Sequence, residues 1–379
     1  MKAHVFRMPA PPPVVPGSPV RVGLIGYGLA GSVFHAPLIA SSPALKLAAI
    51  VTSDPERRMK AAHDHPSARV LESVDNLWAM ARALDLVVVA TPNKTHVPLA
   101  RAALAAELPV VVDKPFAPTA AEARALIDEA RKRDRLLTVF QNRRWDSDFL
   151  TVRQLIADGQ LGTVFRLVSR FDRWRPLPKG GWRERGDPAE AGGLLYDLGS
   201  HLIDQALLLL GPVVGVYAEL DCRRKAMSVD DDTFVALTHS SGARSHLTMT
   251  VLSAQPGPRF HVMGTRAAYL KFGPDVQEEA LKRGERPDRP GWGEEPSERW
   301  GTIGTGDDVR RVETVPGSYQ DFYTSVATAL RKNSAPPVDP NDAVRTLEII
   351  EAAQRAAAER QYVELRVPRP ADQRHSESS

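Results

Sequence analysis

Val20-Arg21-Val22-Gly23-Leu24-Ile25 followed by Gly26-Tyr27-Gly28-Leu29-Ala30-Gly31 is the stretch whose reading decides the fold. Val20–Ile25 is an apolar run of the length expected for a buried strand. The Gly-x-Gly-x-x-Gly behind it opens a helical pattern. Each glycine has its own task in such a turn. Gly26 makes the tight turn, Gly28 lets the backbone approach a pyrophosphate, and Gly31 lets helix and strand pack closely. The helix N-terminus adds N–H groups and a positive dipole end for the phosphates. The six residues from Gly26 to Gly31, with Tyr27, Leu29 and Ala30 between the glycines, are therefore read together as a dinucleotide-binding turn. Three glycines that merely turn the chain would be written with the same letters, so the context must decide.

The context is a repeated alternation. Leu45–Val51, Leu86–Ala90, Val110–Val112 and Leu137–Phe140 read as further apolar strands. Asp75–Arg82, Thr95–Ala106 and Thr119–Arg133 read as helices among them. Apolar strands alternating with helices imply an α/β Rossmann domain, a doubly wound parallel sheet. After the second strand, an NAD enzyme usually places an acid that binds the ribose 2′-hydroxyl. Here Thr52 and Ser53 occupy that place, and Arg57 and Arg58 follow one turn later, suited to a 2′-phosphate. NADP is the expected cofactor. Asp54 is either the ribose acid, which would restore NAD, or the N-cap of a helix starting at Pro55. Thr91-Pro92-Asn93 and His96 follow the Leu86–Ala90 strand, at the end where ligands sit in such sheets. They are expected to line the cofactor, although Thr95 also suits a helix cap.

The remaining sequence predicts a second domain. Asp146–Asp158 reads as a helix and Val164–Phe171 as a strand, followed by a segment rich in Trp and Arg (Trp174, Arg175, Trp182, Arg183). A helix is expected over Gly192–Leu210. Val213–Leu220, Thr233–Thr238, Ser245–Val251 and Phe260–Gly264 read as strands joined by short turns, an antiparallel sheet in an α+β domain. Tyr319–Arg331 and Asn341–Glu359 read as helices, and Gly284–Gly306 as a loop over the site or at an interface. The expected boundaries are 20–141 for the dinucleotide domain and 142–366 for the substrate domain. Residues 1–19, rich in proline, are expected to be a flexible tail and 367–379 a disordered one.

Bulk properties narrow the class. The chain has 379 residues, 43% hydrophobic, and a formal charge of +3. That length suits two domains. No apolar run approaches the ~18 residues of a membrane span. Arg143-Arg144 and Arg183/Arg185 are small basic clusters, which fit small anionic ligands better than a nucleic-acid duplex. Cys222 is the single cysteine, so no intramolecular disulfide forms, as suits a reducing compartment. The N-terminal residues lack the apolar core of a signal peptide, and the cytoplasm is the expected location. No metal-ligand cluster or helix-turn-helix is legible.

After Val112 comes Asp113-Lys114-Pro115. A lysine at the end of a buried strand is costly unless it has a task. This triplet resembles the Glu-Lys-Pro motif of the glucose–fructose oxidoreductase/inositol dehydrogenase (Gfo/Idh/MocA) family, with Asp in place of Glu. Gly192-Gly193-Leu194-Leu195-Tyr196-Asp197-Leu198-Gly199-Ser200-His201-Leu202-Ile203-Asp204 resembles the Gly-Gly-x-x-x-Asp-x-Gly-x-His-x-x-Asp segment of the same family. Glycine loop, lysine motif and histidine motif occur in the family's order, between about Val20 and about Val363. Phe34-His35-Ala36-Pro37, Gln141-Asn142-Arg143-Arg144-Trp145-Asp146 and Asp197–Gln205 are similar to the part of the family that includes NADP-dependent scyllo-inositol dehydrogenases.

The resemblance implies an NAD(P)-dependent oxidoreductase acting on a ring hydroxyl or ketone of a cyclic polyol or sugar. It implies a large open sheet in the second domain, one face of which often joins subunits, hence a homodimer or homotetramer. It also assigns catalysis to Lys114, Asp197 and His201. The chemistry agrees. Asp197 and His201, four apart, share a helix face. Histidine suits the task of taking the hydroxyl proton, a carboxylate can orient it, and lysine can stabilise alkoxide charge. An ordinary i,i+4 helix pair is the plain alternative for Asp197 and His201. Asp204 and Gln205, one turn on, are expected to brace the site residues from behind or to be structural. Arg143, Arg144, Trp145, Trp174, Trp182 and Arg183 are substrate-side candidates, with domain packing the alternative for the tryptophans. Trp182-Arg183 also resembles a family segment near the nicotinamide. Competing readings are a non-catalytic sensor of NADP or sugar, another carbonyl reductase, and a glycosidase that uses NAD transiently.

Overall fold

The computed structural model describes residues 17–366 apart from Lys179, Trp182, Arg183, Arg185 and Ala226. The expected tails, apart from residues 17–19, and the Trp182-Arg183 pair lie outside the described residues.

β1 (Val20–Ile25), β2 (Leu45–Val51), β3 (Arg69–Leu71), β4 (Leu86–Val89), β5 (Val110–Asp113) and β6 (Leu137–Phe140) form a parallel sheet in the order β3-β2-β1-β4-β5-β6. The order reverses between β1 and β4, so a crevice opens there at the carboxyl ends of the strands, where ligands bind in such sheets. Val87, Val88, Val89, Val110, Val111 and Val112 are fully buried, because helices cover both faces of a doubly wound sheet. A π-helical turn at Ala30–His35 leads into α1 (Ala36–Ala40). Next come α2 (Pro55–Asp64), α3 (Val74–Trp78), α4 (His96–Ala105) and α5 (Ala120–Lys132). Asp54, Ser73 and Thr119 cap α2, α3 and α5 by accepting backbone N–H groups, which satisfies donors a helix start leaves open.

α6 (Ser147–Ala157) precedes the second sheet. β7 (Val164–Asp172), β8 (Val213–Asp221), β9 (Asp232–His239), β10 (Arg244–Thr250), β11 (Phe260–Gly264), β12 (Ala268–Lys271), β13 (Gly301–Thr305), β14 (Asp308–Val312) and β15 (Val363–Glu364) lie in the order β14-β13-β12-β11-β7-β10-β9-β8-β15. Only β7 and β10 pair in parallel. β9 alternates buried and half-buried residues along its length, the pattern of a sheet covered on one face. α7 (Ser200–Leu210), α8 (Gln277–Lys282), α9 (Gln320–Lys332) and α10 (Pro340–Glu359) complete the helices. α7 and α10 lie against the second sheet, and α10 also meets α5, joining the two halves. No described helix is long and apolar enough to cross a membrane.

Two expectations change. The helix expected over Gly192–Leu210 begins later: a π-helical turn at Leu195–Gly199 runs into α7. Gly193 has φ +91°, and a Cβ on it would lie 1.9 Å from the Asp230 carboxylate, so this glycine belongs to the approach. The Gly284–Gly306 stretch is not wholly a loop, since Gly301–Thr305 is β13. A Cβ on Gly304 would lie 1.9 Å from the Asp308 carbonyl oxygen. Glycine inside a strand often marks such close approach, and here it hid the strand. Trp292 and Trp300 of this stretch donate to Gln277 Oε1 and the Glu295 carbonyl at 3.0 and 3.1 Å.

Candidate active site

On the nucleotide side the geometry separates the three glycines. Gly26 has φ +102°, and a Cβ there would stand 2.3 Å from the Ala90 carbonyl oxygen. A Cβ on Gly31 would stand 2.0 Å from the Gly26 carbonyl oxygen. Gly28 meets only Arg57 Nη1, at 3.7 Å. Two glycines are thus required by the chain itself, and the middle one leaves a clear approach to the start of a helix. That arrangement fits a pyrophosphate. Around it, Tyr27 is buried and donates to Asp64 at 2.9 Å. Leu29 and Ala30 line the cleft. Thr52 is buried, and the Ser53 carbonyl accepts from Arg58 at 2.8 Å. Asp54 accepts the Arg57 N–H at 3.0 Å and lies 3.6 Å from Arg57 Nε. Its cap role is therefore realised.

The Thr91-Pro92-Asn93 and His96 segment serves as bracing. Thr91 Oγ1 and the Pro92 carbonyl both accept from Thr95 at 2.7 Å. Asn93 is buried and donates to the Glu190 carbonyl at 2.8 Å. His96 is fully buried between the Pro115 and Thr91 carbonyls, each at 2.9 Å. Burial lowers its pKa, against the opposing pull of Asp113 and the two carbonyls. Each ring nitrogen of His96 faces a backbone carbonyl, and the neutral ring, with a single N–H, donates to one of the two.

A cavity of about 580 Å³ lies where the first sheet's crevice meets the second domain. Lys114, following β5, reaches across it. Its Nζ donates to the Asp197 carbonyl at 2.6 Å and to Asp197 Oδ1 at 3.0 Å. Asp197 sits in the π-helical turn, and His201 stands on the first turn of α7, 4% exposed. Buried His201 Nδ1 has no hydrogen-bond partner among the described residues. Burial first, then Lys114, Arg143, Arg259 and Arg173, hold its pKa well below the usual 6.5. The imidazole is therefore held in its neutral form at pH 7. π-helical turns frequently mark functional sites, and both of those described here feed the cavity, one with His35 and the other with Asp197.

Arg143 lines the cavity. It pairs with Asp146 at 3.3 Å and with Glu278, and lies 4.8 Å from the Phe171 ring centre. Arg144 is instead a structural group: it grips Asp204 through two hydrogen bonds and reaches Asp342 at 3.1 Å. Gln205 donates to the Arg143 carbonyl at 2.9 Å. Asp204 and Gln205 therefore tie α7 to the segment carrying Arg143.

Two further substrate-side candidates stand outside the cavity. Neither Trp145 nor Trp174 lines the cavity. Trp145 packs edge-on against Phe322, 5.6 Å between ring centres, within the core that joins the domains. Trp174 is 58% exposed and bridges to Leu252. In extended backbone neighbouring side chains point to opposite sides, so Trp174 faces away from the side its neighbours Arg173 and Arg175 occupy. Those two arginines, with Glu278 and His35, line the cavity and were not singled out as site residues from sequence. His35 is fully buried, with Nδ1 2.5 Å from the Tyr323 hydroxyl and Nε2 3.7 Å from Asp113. Its place in Phe34-His35-Ala36-Pro37 was the only sequence signal for it. Among the described residues no group of His, Cys, Asp and Glu is arranged to hold a metal.

Comparison with known proteins gives the same frame. Residues 20–141 match the model of the oxidoreductase family with an NAD-binding Rossmann fold, and residues 153–365 match that family's C-terminal alpha/beta domain. The chain is 43% identical to the uncharacterized oxidoreductase YdgJ of Escherichia coli K12 over 346 residues, 90% of this chain and 97% of that protein. It is 34% identical over 351 residues to IolW of Bacillus subtilis 168, a scyllo-inositol 2-dehydrogenase (NADP(+)), covering 91% and 96% of the two chains. The solved structure of the Yersinia pestis protein YPO2259 superposes with a TM-score of 0.86 at 39% identity, covering 93% of this chain and 99% of that one.

Proposed function

We propose that this chain, which belongs to the Gfo/Idh/MocA oxidoreductase family, is an NADP-preferring dehydrogenase acting on a ring hydroxyl of a cyclic polyol or sugar. The family supplies the coarser statement, an NAD(P)-dependent dehydrogenase or reductase. The observation that carries the finer one is Lys114 held on Asp197, beside a buried neutral His201, at the mouth of the nucleotide crevice.

When bound, the nicotinamide supplies the redox chemistry, taking or giving the hydride. The protein handles the proton and the charge. A lysine ammonium has three donors. Asp197 takes two of the Lys114 hydrogens, which leaves one for the substrate oxygen, where it favours developing alkoxide. His201 takes the hydroxyl proton. The surrounding cations then destabilise its charged form, so His201 gives the proton up to solvent and returns to its neutral form. In the reducing direction the same groups act in reverse.

Arg57 and Asp54 support the cofactor preference. Arg57 stands beside Gly28, while Asp54 is spent on the α2 cap and on Arg57. An acid so engaged is a poor ribose ligand, and a nearby guanidinium pairs well with a 2′-phosphate. IolW's dependence on NADP(+) points the same way. Residues 20–141 are assigned to the cofactor and 142–366 to substrate and to subunit contacts, as a homodimer or homotetramer.

The test is to incubate the purified protein with NADP⁺ or NAD⁺ and a panel of inositols and aldoses, following reduced nicotinamide. Turnover with NADP⁺ that is lost in Lys114→Ala and His201→Ala is the expected result. Turnover with NAD⁺ alone would overturn the cofactor preference. NADPH binding without turnover of any carbonyl or alcohol would favour a sensor.

A further inference from the structure

Four of the cations that line the cavity are each held by carboxylates. Lys114 is paired with Asp197, Arg143 with Glu278 and Asp146, Arg224 with Asp231 and Glu184, and Lys282 with Glu278 and Glu279. Arg173 and Arg175 also line the cavity, and among the described residues neither guanidinium meets a salt-bridge or hydrogen-bond partner. Backbone pairing fixes how they are presented. Arg173 N–H donates to the Thr250 carbonyl at 2.9 Å and Arg175 N–H to the Val251 carbonyl at 2.7 Å. The segment therefore runs extended along the end of β10, and residues two apart face the same way. Arg173 lies close enough to Asp197, Glu278 and Arg143 to feel their charge. It thus stands among the proposed catalytic groups of the cavity.

A half-buried, unpaired guanidinium is poorly solvated and available to a ligand, and its planar fork matches carboxylate or phosphate oxygens. On the reading of the site given above, we infer that the substrate is a ring polyol or sugar bearing an anionic substituent, a carboxylate or a phosphate, held by Arg173 and Arg175. The placement has a second consequence for the base. Arg173 is one of the cations that depress the proton affinity of His201. An anion seated on Arg173 would offset that field and strengthen the base only when the right substrate is present.

The experiment uses the full-length protein saturated with NADP⁺, titrated by calorimetry with glucose, glucuronate and glucose 6-phosphate, with turnover of the same compounds measured in parallel. One of the two anions is expected to bind at least about tenfold tighter than glucose, and to lose that advantage as salt is raised. Which anion does so separates carboxylate from phosphate. In Arg173→Met and in Arg175→Met the ratio of anionic to neutral affinity should fall at least about fivefold, while Arg173→Lys should retain part of it. The inference is overturned if the three ligands bind equally or not at all, or if the anion preference survives both substitutions to Met. Turnover of glucose without anion preference would sink it and leave the dehydrogenase reading standing. Selective anion binding with no turnover would support it and remove that reading for these compounds.

Discussion

The two walls of the cleft are built by opposite means. The nucleotide wall is made of backbone and of missing side chains, with Gly26, Gly28 and Gly31 inside six consecutive residues. The facing wall is made of side chains brought from far apart: Lys114 after β5, Arg143 before α6, Arg173 after β7, Asp197 and His201 at α7, and Glu278 on α8. The first wall is specified by sterics, where one added carbon meets a carbonyl. The second is specified by charge pairing, where loss of one partner weakens function while the chain still folds. One wall should therefore respond to substitution in stability, and the other in rate or selectivity.

The largest effect should fall on chemistry alone. Lys114→Met and His201→Asn should each lower kcat by about 10²–10⁴-fold, with a thermal unfolding midpoint close to that of the native protein. Steady-state kinetics beside calorimetric unfolding checks this. A loss below tenfold would remove the residue from the catalytic role.

Next comes the steric wall. Gly26→Ala adds a Cβ against the Ala90 carbonyl at positive φ and should destabilise the fold by about 3 kcal/mol. Gly28→Ala has space and should cost at most about 1 kcal/mol in stability while weakening NADP⁺ binding. Urea unfolding and nucleotide titration of both variants distinguish the two glycines. Equal destabilisation would refute the distinction.

Arg57→Ala should weaken NADP⁺ by about 10–100-fold and leave NAD⁺ nearly unchanged. Asp54→Ala should cost about 1 kcal/mol of stability through the lost cap without changing the NADP⁺ to NAD⁺ ratio. A switch of preference in Asp54→Ala would instead make that carboxylate a ribose ligand.

The pH dependence sharpens the charge wall. His201 is held well below 6.5 in the folded protein, so its proton-accepting form persists as pH falls through 6.5. The acid limb of kcat/KM for oxidation should therefore lie below that value. Arg173→Met removes a depressing cation, and the limb should move upward. A limb unmoved in that variant would exclude the coupling. The smallest effect is expected at Trp174, where Trp174→Ala should change stability by less than about 0.5 kcal/mol and kcat/KM by less than about twofold. A larger loss in kcat/KM would return Trp174 to the substrate site.

The sequence by itself determined the glycine turn and the parallel sheet around it, and the family resemblance singled out Lys114, Asp197 and His201. Their constraints are local: a strand and its turn lie within twelve residues, and Asp197 and His201 share one helical segment. The sequence also placed Asp54 as either cap or ligand, and the hydrogen bond from the Arg57 N–H shows the cap formed. The tertiary structure alone decided that Lys114 meets Asp197, 83 positions away, and that Arg144 is occupied by Asp204 and Asp342 while Arg143 reaches the cavity. It also turned Trp145 into the core and Trp174 outward, and brought Arg173 and Arg175 inward. Side-chain direction in an irregular segment has no period to read. It is set by which distant backbone the segment pairs with, here the end of β10, and that pairing exists only once the second sheet has formed.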